Sequence, residues 1–462
     1  MPIRKPESLA LAYLSLTSER SGLNMDNADG HLDGAGDTRS ALGIAWSCLA
    51  IIFACTWTAI HPNIPSEHIR HSEWKLRRWR LIQAIWALMV PELMVMWAVQ
   101  QWAEARRVSE AYNTPNGAGR GGMAALNDVE KNGGTAWTSV HSFFLVMGGI
   151  INRAEDGTTQ IIHSRDVVPQ TSPLSSEDRQ SLPDDAAQPP PFEWPTIEKE
   201  EIDDKSKGDA LAKAIVVIQT SYFLIQLLAR VARRLTITKL EIMTLAYALL
   251  CGMLYAFWWH KPYNVQRPIS IRIQNFKPQP PPRKPAGGGY LARIMNGGFI
   301  LNLHGSIVGD GEGLEVLGEL NGELELSMNV NLHRVATISS FMTATAFGGV
   351  HCIAWNFEFI THSERLIWNI CAALVTAIPL VWIVMVLLGH FVDQLRDKSS
   401  SALFKRFIHV ALGIPLFVLV FILVCAYFLC RVILVVEAFV LLRDLPPSAA
   451  ASVDWTSFIP HV

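Results

Sequence analysis

Eight apolar segments recur along this chain of 462 residues. An α-helix advances ~1.5 Å per residue, so about 20 residues cross a hydrocarbon layer ~30 Å thick, and most of the segments reach that length. Helices of soluble proteins rarely run so far without a polar face. The pattern therefore predicts an all-α fold, a polytopic bundle of transmembrane helices with about eight spans.

Six of the segments are uniformly apolar and two are weaker. The uniform ones are Ala41–Ile60, Leu81–Ala103, Leu211–Leu228, Leu240–Trp259, Leu366–His390 and Phe407–Cys430. Of the weaker ones, Ala136–Ile151 is short enough to be re-entrant, and Thr337–Trp355 is rich in Ser, Thr and Gly. If Ala136–Ile151 does not cross, seven spans remain.

Two long polar segments interrupt this bundle. Residues 152–209 are acidic and contain three consecutive prolines, and residues 261–335 are rich in Pro and Gly. Such composition favours two long, partly disordered loops, which we interpret as solvated linkers, with a regulatory tether as the alternative. The resulting regions are a polar N-terminal tail (1–40), spans 1–3 (41–151), the first loop (152–209), spans 4–5 (210–260), the second loop (261–335), spans 6–8 (336–442) and a C-terminal tail (443–462).

Composition agrees with a membrane protein. Half of the residues are hydrophobic, 17% are charged, and the net charge of -2 argues against nucleic acid as a partner. The 15 Trp residues suit a protein anchored at two interfaces of a lipid bilayer. All seven Cys fall in predicted spans, which indicates free thiols rather than a disulfide framework. We expect no cleavable signal peptide, and an integral protein of the endoplasmic reticulum or plasma membrane.

Basic loops predict the orientation, because Lys and Arg accumulate on the cytoplasmic side. The loop between Arg70 and Arg80 is the most basic one. With eight crossings and the N-terminus outside, the basic loop 396–406 is cytoplasmic too. The basic residues of 230–239 then face outward, against the rule.

Glu92 follows Pro91 in the middle of Leu81–Ala103. An ionised carboxylate at that depth costs several kcal/mol unless it has a partner. Proline frees a backbone carbonyl one turn back, near Ala87 or Leu88, and kinks the helix. Pro91 followed by Glu92 therefore predicts one of two arrangements. Either Glu92 is a buried acid or base in a polar pocket, or its carboxyl group holds two helices together.

A second candidate stripe lies in Thr337–Trp355. Its members are spaced three or four residues apart and so share one helix face: Ser340, Thr343, Phe347 and His351. Trp355 and Glu358 follow, and Gly348 and Gly349 let a neighbouring backbone approach closely. A histidine at the mouth of a polar stripe could relay protons or bind a metal or ligand, whereas the alternative is helix–helix hydrogen bonding by small polar residues.

Two span ends repeat the order Trp, His, Pro, Asn. One contains His61 and Asn63, and the other contains His260 and Asn264. A paired site at one interface is one interpretation, and aromatic anchoring followed by a proline stop is the favoured one. His141, in Ala136–Ile151, is a further candidate, interpreted first as an anchor.

Several catalytic signatures are missing from the sequence. It contains no Walker P-loop, no HExxH, no GxSxG and no set of histidine boxes. Linear spacing predicts no metal site, since a metal needs three or four converging ligands, and we expect no cofactor.

Strings along nearly the whole chain resemble one family. They are Trp46-Ser47-Cys48 with Thr56-Trp57, His61-Pro62-Asn63-Ile64-Pro65, Pro91-Glu92, Trp259-His260-Lys261-Pro262, Gly348 to Trp355, and Asp454 to His461. Together they resemble a large family of fungal integral membrane proteins without a characterised activity. The resemblance implies a multi-pass membrane protein and no reaction. It adds weight to Glu92, His61, His260 and His351.

Three functions are consistent with these residues. The favoured hypothesis is a membrane-embedded enzyme for a lipophilic substrate (a lipid, isoprenoid or secondary metabolite), with Glu92 as buried acid or base and His351 orienting or deprotonating the substrate. The second is a proton- or ion-coupled transporter or channel with Glu92 as the ion site. The third is a receptor or scaffold that works through its long loops.

Overall fold

The computed structural model describes residues 38–113, 137–154, 157–167, 197–206, 209–273, 330–398 and 402–453. These residues are mostly helical. The helices are α1 (Ala41–Phe53, continued by a π-helical turn at Ala54–Thr58), α2 (Glu67–Arg70), α3 (Glu73–Met89), α4 (Pro91–Asn113), α5 (Ser139–Val146), α6 (Ser164–Val167), α7 (Lys199–Lys205), α8 (Asp209–Ala232), α9 (Lys239–Trp258), α10 (Val330–Cys352), α11 (His362–Lys398), α12 (Ala402–Val440) and α13 (Pro447–Ala450). Three short strands, β1 (Ile150–Arg153), β2 (Thr159–Ile161) and β3 (Ile269–Ile271), form one sheet.

Five helices are long and apolar enough to cross a membrane. They lie at Ala41–Thr58, Ala210–Ala232, Lys239–Trp258, His362–Met385 and Val418–Arg443. A sixth is counted only if the bent pair of α3 and α4 is taken as one span. Among the residues that the structure describes, the eight spans expected from the sequence are therefore not confirmed.

The predicted span Leu81–Ala103 is two helices rather than one. α3 ends at Met89, Val90 leaves the helical region with φ -141° and ψ 62°, and α4 starts at Pro91 with its axis turned by 109°. Proline is well tolerated there, because the first residue of a helix needs no N–H donor. The kink expected from Pro91 is thus a full break.

The sheet lies at one end of the bundle, which we call the sheet end. The end of α1 reaches it, because the Ile64 N–H donates to the Met147 carbonyl at 3.1 Å. The chain leaving α9 reaches it as well, since β3 pairs in parallel with β1. The start of α8 is tied there by Lys213, whose Nζ donates to the Trp259 carbonyl at 2.8 Å.

Both outer ends of the α3–α4 pair also lie at the sheet end. Next to α3, the Arg70 guanidinium donates to the Gln266 carbonyl at 3.4 Å. Near the end of α4, the Ser109 hydroxyl lies 2.7 Å from that of Ser142 on α5. The two helices therefore enter the bundle and return to the same end, and we call this pair the hairpin.

The structure corrects two expectations around residue 150. Ala136–Ile151 is not one long helix, because α5 has eight residues and the chain then turns into β1. Parts of the first loop, which was expected to be disordered, are regular, since β2, α6 and α7 lie there, and β3 lies in the second loop, which was expected to be partly disordered. β1 pairs with both β2 and β3. Residues 168–196 and 274–329 lie outside the described residues.

The opposite end, which we call the tail end, holds the C-terminal segment 446–451. The Arg230 guanidinium is buried and donates to the carbonyls of Ser448, Ala449 and Ala451 at 2.8 to 3.1 Å. The Arg39 N–H donates to the Ala450 carbonyl at 2.7 Å. The chain entering α1, the end of α8 and the C-terminal segment are thereby joined.

α10 lies inside the bundle, packed on α4, α9 and α11. Its small residues permit this packing. A Cβ on Gly348 would meet the backbone N and Cα of Thr376 on α11 at 2.7 Å, whereas a Cβ on Gly349 would meet nothing within 4 Å. The close approach predicted for both glycines therefore holds for Gly348.

This difference makes a paired test. Gly348→Ala should lower the free energy of unfolding by about 1–3 kcal/mol, because α10 and α11 must separate. Gly349→Ala should be neutral or stabilising by up to ~1 kcal/mol, since alanine favours the helix. Denaturant titration of the two purified variants in detergent measures both, and equal effects would contradict the close packing at Gly348.

Candidate functional site

Glu92 lies at the buried tip of the hairpin, in the first turn of α4. Its Oε2 accepts a hydrogen bond of 2.5 Å from Nη2 of Arg431 on α12. Its Oε1 accepts one of 2.5 Å from the hydroxyl of Tyr427, one turn earlier on α12. The side chains of Glu92 and Arg431 are only 5% and 3% exposed. We call Glu92, Tyr427 and Arg431 the ionic centre.

Two further hydrogen bonds fix the backbone around the ionic centre. The Ser340 hydroxyl of α10 donates to the Glu92 carbonyl at 3.1 Å. The Tyr247 hydroxyl of α9 donates to the Leu88 carbonyl at 2.5 Å. Leu88 is one of the two carbonyls that the sequence expected Pro91 to free. Helices α9, α10 and α12 thus all hold the hairpin tip.

Aromatic rings connect the ionic centre to His351. The Phe347 ring lies 4.0 Å from the Arg431 guanidinium carbon, and the His351 ring lies 4.9 Å from the Phe347 ring. The His351 Nδ1–H donates to the Phe347 carbonyl at 2.8 Å, so the lone pair of the neutral ring is on Nε2. The two residues proposed as catalytic, Glu92 and His351, therefore belong to one buried cluster.

The pairing with Arg431 changes the chemistry expected of Glu92. A carboxyl group in a purely apolar pocket has no partner, whereas Glu92 faces a buried guanidinium, so the loss of either side chain would leave the other buried and unpaired. Within the described residues, Arg431 Nη1 has no hydrogen-bond partner. The ionic centre therefore has one buried donor available to a ligand or to Glu92 in another arrangement.

A second buried cluster lies on the returning arm of the hairpin, at the sheet end. The Lys261 Nζ donates to Asn63 Oδ1 at 3.0 Å and to Gln101 Oε1 at 2.6 Å. It also lies 4.8 Å from the Trp97 ring and 4.7 Å from the Trp258 ring. We call these five residues the lysine cage. Burial lowers the pKa of Lys261 well below its usual value.

The lysine cage is held together by its own hydrogen bonds. Gln101 Nε2 donates to Asn63 Oδ1 at 2.7 Å, and Gln101 Oε1 also accepts from Trp258 Nε1 at 3.0 Å. Two amide oxygens and two indole faces surround one ammonium group, and both kinds of group stabilise a cation. The amino group of Lys261 thus has no carboxylate among the contacts that the structure describes.

The two repeated span ends do meet, although not as a histidine pair. His61 is buried, with its ring 5.2 Å from the Tyr263 ring and its Nδ1 bonded to the Ala59 carbonyl at 2.9 Å. His260 is exposed, and Asn264 has a left-handed backbone with φ 56°. Lys261, next to His260, makes the contact between the two ends.

The other predicted site residues lie elsewhere. Trp355 and Glu358 are exposed at the tail end, and Thr343 is buried but donates to the Ser339 carbonyl of its own helix. His141 is buried at the sheet end, where its Nε2–H donates to the Ile197 carbonyl at 2.9 Å and burial lowers its pKa. This is the anchoring role that was favoured for His141.

Arg431, Tyr427, Tyr247 and Lys261 were missed as candidates. The signal for Arg431 was a lone arginine in a long apolar run, but the predicted span ended at Cys430. α12 continues to Val440, so Arg431 lies inside the helix. Within the part of the chain that the structure describes, no three His, Cys, Asp or Glu side chains converge as metal ligands.

Comparison with known proteins identifies a family and no individual relative. The model of a family of unknown function, DUF8562, matches residues 13–277 and 319–462. No curated protein and no solved structure matches the chain.

A double-mutant cycle tests the ionic centre. Glu92→Gln or Arg431→Met alone should lower the free energy of unfolding by about 3–5 kcal/mol, because the remaining partner stays buried and unpaired. The double variant should lose clearly less than the sum. Denaturant titration in detergent measures all three variants.

The matched control for this cycle is Glu110→Gln on the same helix. Glu110 is 67% exposed and faces Arg106 at 3.6 Å, so its loss should cost less than about 1 kcal/mol. Additive losses for Glu92→Gln and Arg431→Met would contradict a direct ion pair.

Proposed function

We propose a function from the geometry of this chain, which belongs to DUF8562, a family of unknown function. The protein is a polytopic integral membrane protein that moves protons or small ions across a bilayer. The observation that carries this proposal is a charged pair at the tip of a re-entrant hairpin, with further buried polar groups toward both ends of the bundle. Broken helices with charged residues at membrane depth are typical of transport pathways.

We infer six crossings, namely α1, α8, α9, α10, α11 and α12. The contacts support alternating directions: α1 ends at the sheet end, α8 starts there, and α9 returns there from the tail end. α10 ends and α11 starts at the tail end, where Lys239 of α9 donates to the Glu358 carbonyl between them. α12 ends there too, since Arg443 pairs with Glu364 of α11 at 2.5 Å.

The six crossings keep the expected orientation. Two of the eight expected spans, Leu81–Ala103 and Ala136–Ile151, do not cross, and removing both leaves the basic loops 70–80 and 396–406 on one side. That side is the sheet end, which we assign to the cytoplasm. Arg230, in the outward basic group, has a local reason for its position because it binds the C-terminal segment.

The ionic centre divides a path of buried polar groups. Gln101 in the lysine cage is nine residues beyond Glu92 on α4, which is ~14 Å toward the sheet end. Glu437 is six residues beyond Arg431 on α12, or ~9 Å toward the tail end. The apolar residues Leu93–Met96 separate Glu92 from the lysine cage along α4. We propose that the pair of Glu92 and Arg431 opens and closes this path.

The mechanism follows from charge balance. While Glu92 and Arg431 are paired, neither attracts an ion, because each neutralises the other. Separating them exposes a carboxylate to a cation or proton and a guanidinium to an anion. The three groups that hold the hairpin tip, Tyr247, Ser340 and Tyr427, would then set the energy needed for separation.

A second candidate is an enzyme acting on a lipophilic substrate. The observation in its favour is His351, whose Nε2 lone pair lies in aromatic surroundings formed by Phe347 and Trp368. His351 would act as the base there, while the pair of Glu92 and Arg431 would orient the substrate. Loss of one metabolite in a strain carrying His351→Gln, with ion flux intact, would favour this candidate.

Labelling with a membrane-impermeant maleimide tests the topology. Arg77→Cys on α3 and Glu110→Cys on α4 should react from the same side of sealed vesicles, because the hairpin returns to the sheet end. Glu358→Cys at the tail end should react from the opposite side. Labelling of positions 77 and 110 from opposite sides would contradict a re-entrant hairpin.

Flux measurements in liposomes test the activity. The purified protein should carry protons, Na⁺ or K⁺ down an imposed gradient, read by pH- or ion-sensitive dyes inside the vesicles. Glu92→Gln should lower the flux at least tenfold, about 1.4 kcal/mol in the barrier, and Glu110→Gln should leave it unchanged. No flux of any of the three ions from folded, inserted protein would refute the proposal.

A further inference from the structure

Glu437 on α12 is a buried carboxyl group that neither the ionic centre nor the lysine cage includes. The residue is 7% exposed, and both of its carboxyl oxygens lack a hydrogen-bond partner within the described residues. A buried carboxylate without hydrogen bonds costs several kcal/mol, whereas the neutral acid costs much less. This environment is therefore one in which a carboxyl group holds a proton.

The charged groups around Glu437 already have other partners. Lys239 of α9 donates its Nζ to the Glu358 carbonyl and lies 4.4 Å from the Phe359 ring. Glu364 of α11 pairs with Arg443 and also accepts from the Thr361 N–H at 3.1 Å. Its charge opposes ionisation of Glu437. Cys371 of α11 faces Glu437 as well.

We propose that Glu437 is the proton-binding site of this protein and that the ion it couples to is the proton. This rests on the proposed transport function and names its ion. Lys239 is the partner that releases the proton: when its Nζ leaves the Glu358 carbonyl for the Glu437 carboxylate, the carboxyl proton passes to water at the tail end. One O–H bond breaks, one forms on water, and the carboxylate and ammonium then pair.

The same helix transmits this change to the ionic centre. Glu437 and Arg431 lie on α12 about 9 Å apart along its axis. A rigid helix that moves to bring Glu437 toward Lys239 also shifts Arg431 relative to Glu92. Proton release at the tail end and separation of the ion pair at the hairpin tip are thereby one movement.

Infrared spectroscopy tests the proton site without requiring transport. The purified wild-type protein at neutral pH should show the carbonyl band of a protonated carboxylic acid, shifted by D₂O. Glu437→Gln should lose this band, whereas Glu110→Gln, an exposed carboxylate on α4, should keep it. A wild type without the band, or a band that survives in Glu437→Gln, overturns the proposal.

Flux measurements give the second readout. In Glu437→Gln, flux should no longer depend on pH at the tail-end side, whereas in wild-type protein it should change by up to about tenfold per pH unit there. Unchanged pH dependence in Glu437→Gln would also overturn the proposal. If wild-type protein carries no ion, the transport function fails, and the infrared band still decides whether Glu437 holds a proton.

Discussion

The buried ion pair between Glu92 and Arg431 is the contact on which the rest of this bundle depends. It joins the tip of a hairpin that enters from the sheet end to the last long helix, whose end lies at the tail end. Each charge alone would be costly when buried, so the two elements cannot separate without either exposing or neutralising both. The Tyr427 hydroxyl contacts both partners, since it donates to the Glu92 carboxylate and accepts from the Arg431 guanidinium.

Long cationic side chains connect distant segments at both ends of the bundle, but they bind different groups at each end. At the tail end, Arg230 and Arg39 hold backbone carbonyls of the C-terminal segment, and Arg39 also pairs with Glu241 at 2.7 Å. At the sheet end, Lys261 holds side-chain amides that belong to α4 and to the chain after α1. Both arrangements place long cationic side chains between segments distant in sequence, where oxygen acceptors replace water, and at the sheet end two indole faces do so as well.

Part of the candidate site was predictable. The depth of Glu92, the effect of Pro91 and the shared face of Ser340, Phe347 and His351 follow from local rules of helix geometry, and the structure places these residues together. The identity of the partner was not predictable, because Arg431 is 339 residues away and no spacing rule connects them. Lys261 was missed for a similar reason: its neighbour His260 has the more familiar chemistry, but the helix end turns His260 outward.

The sequence by itself determined that the chain is mostly helical, that several of its helices are apolar over membrane length, and that a carboxylate directly follows a proline inside an apolar run. These follow from composition and from periods of a few residues, which act locally. Only the tertiary structure decided that Leu81–Ala103 is two helices turned by 109° at Val90, that Ala136–Ile151 contains a short helix leading into a strand, and which charges pair. Those outcomes depend on hydrogen bonds and ion pairs between segments far apart in the chain. Local sequence patterns do not predict which of these contacts form.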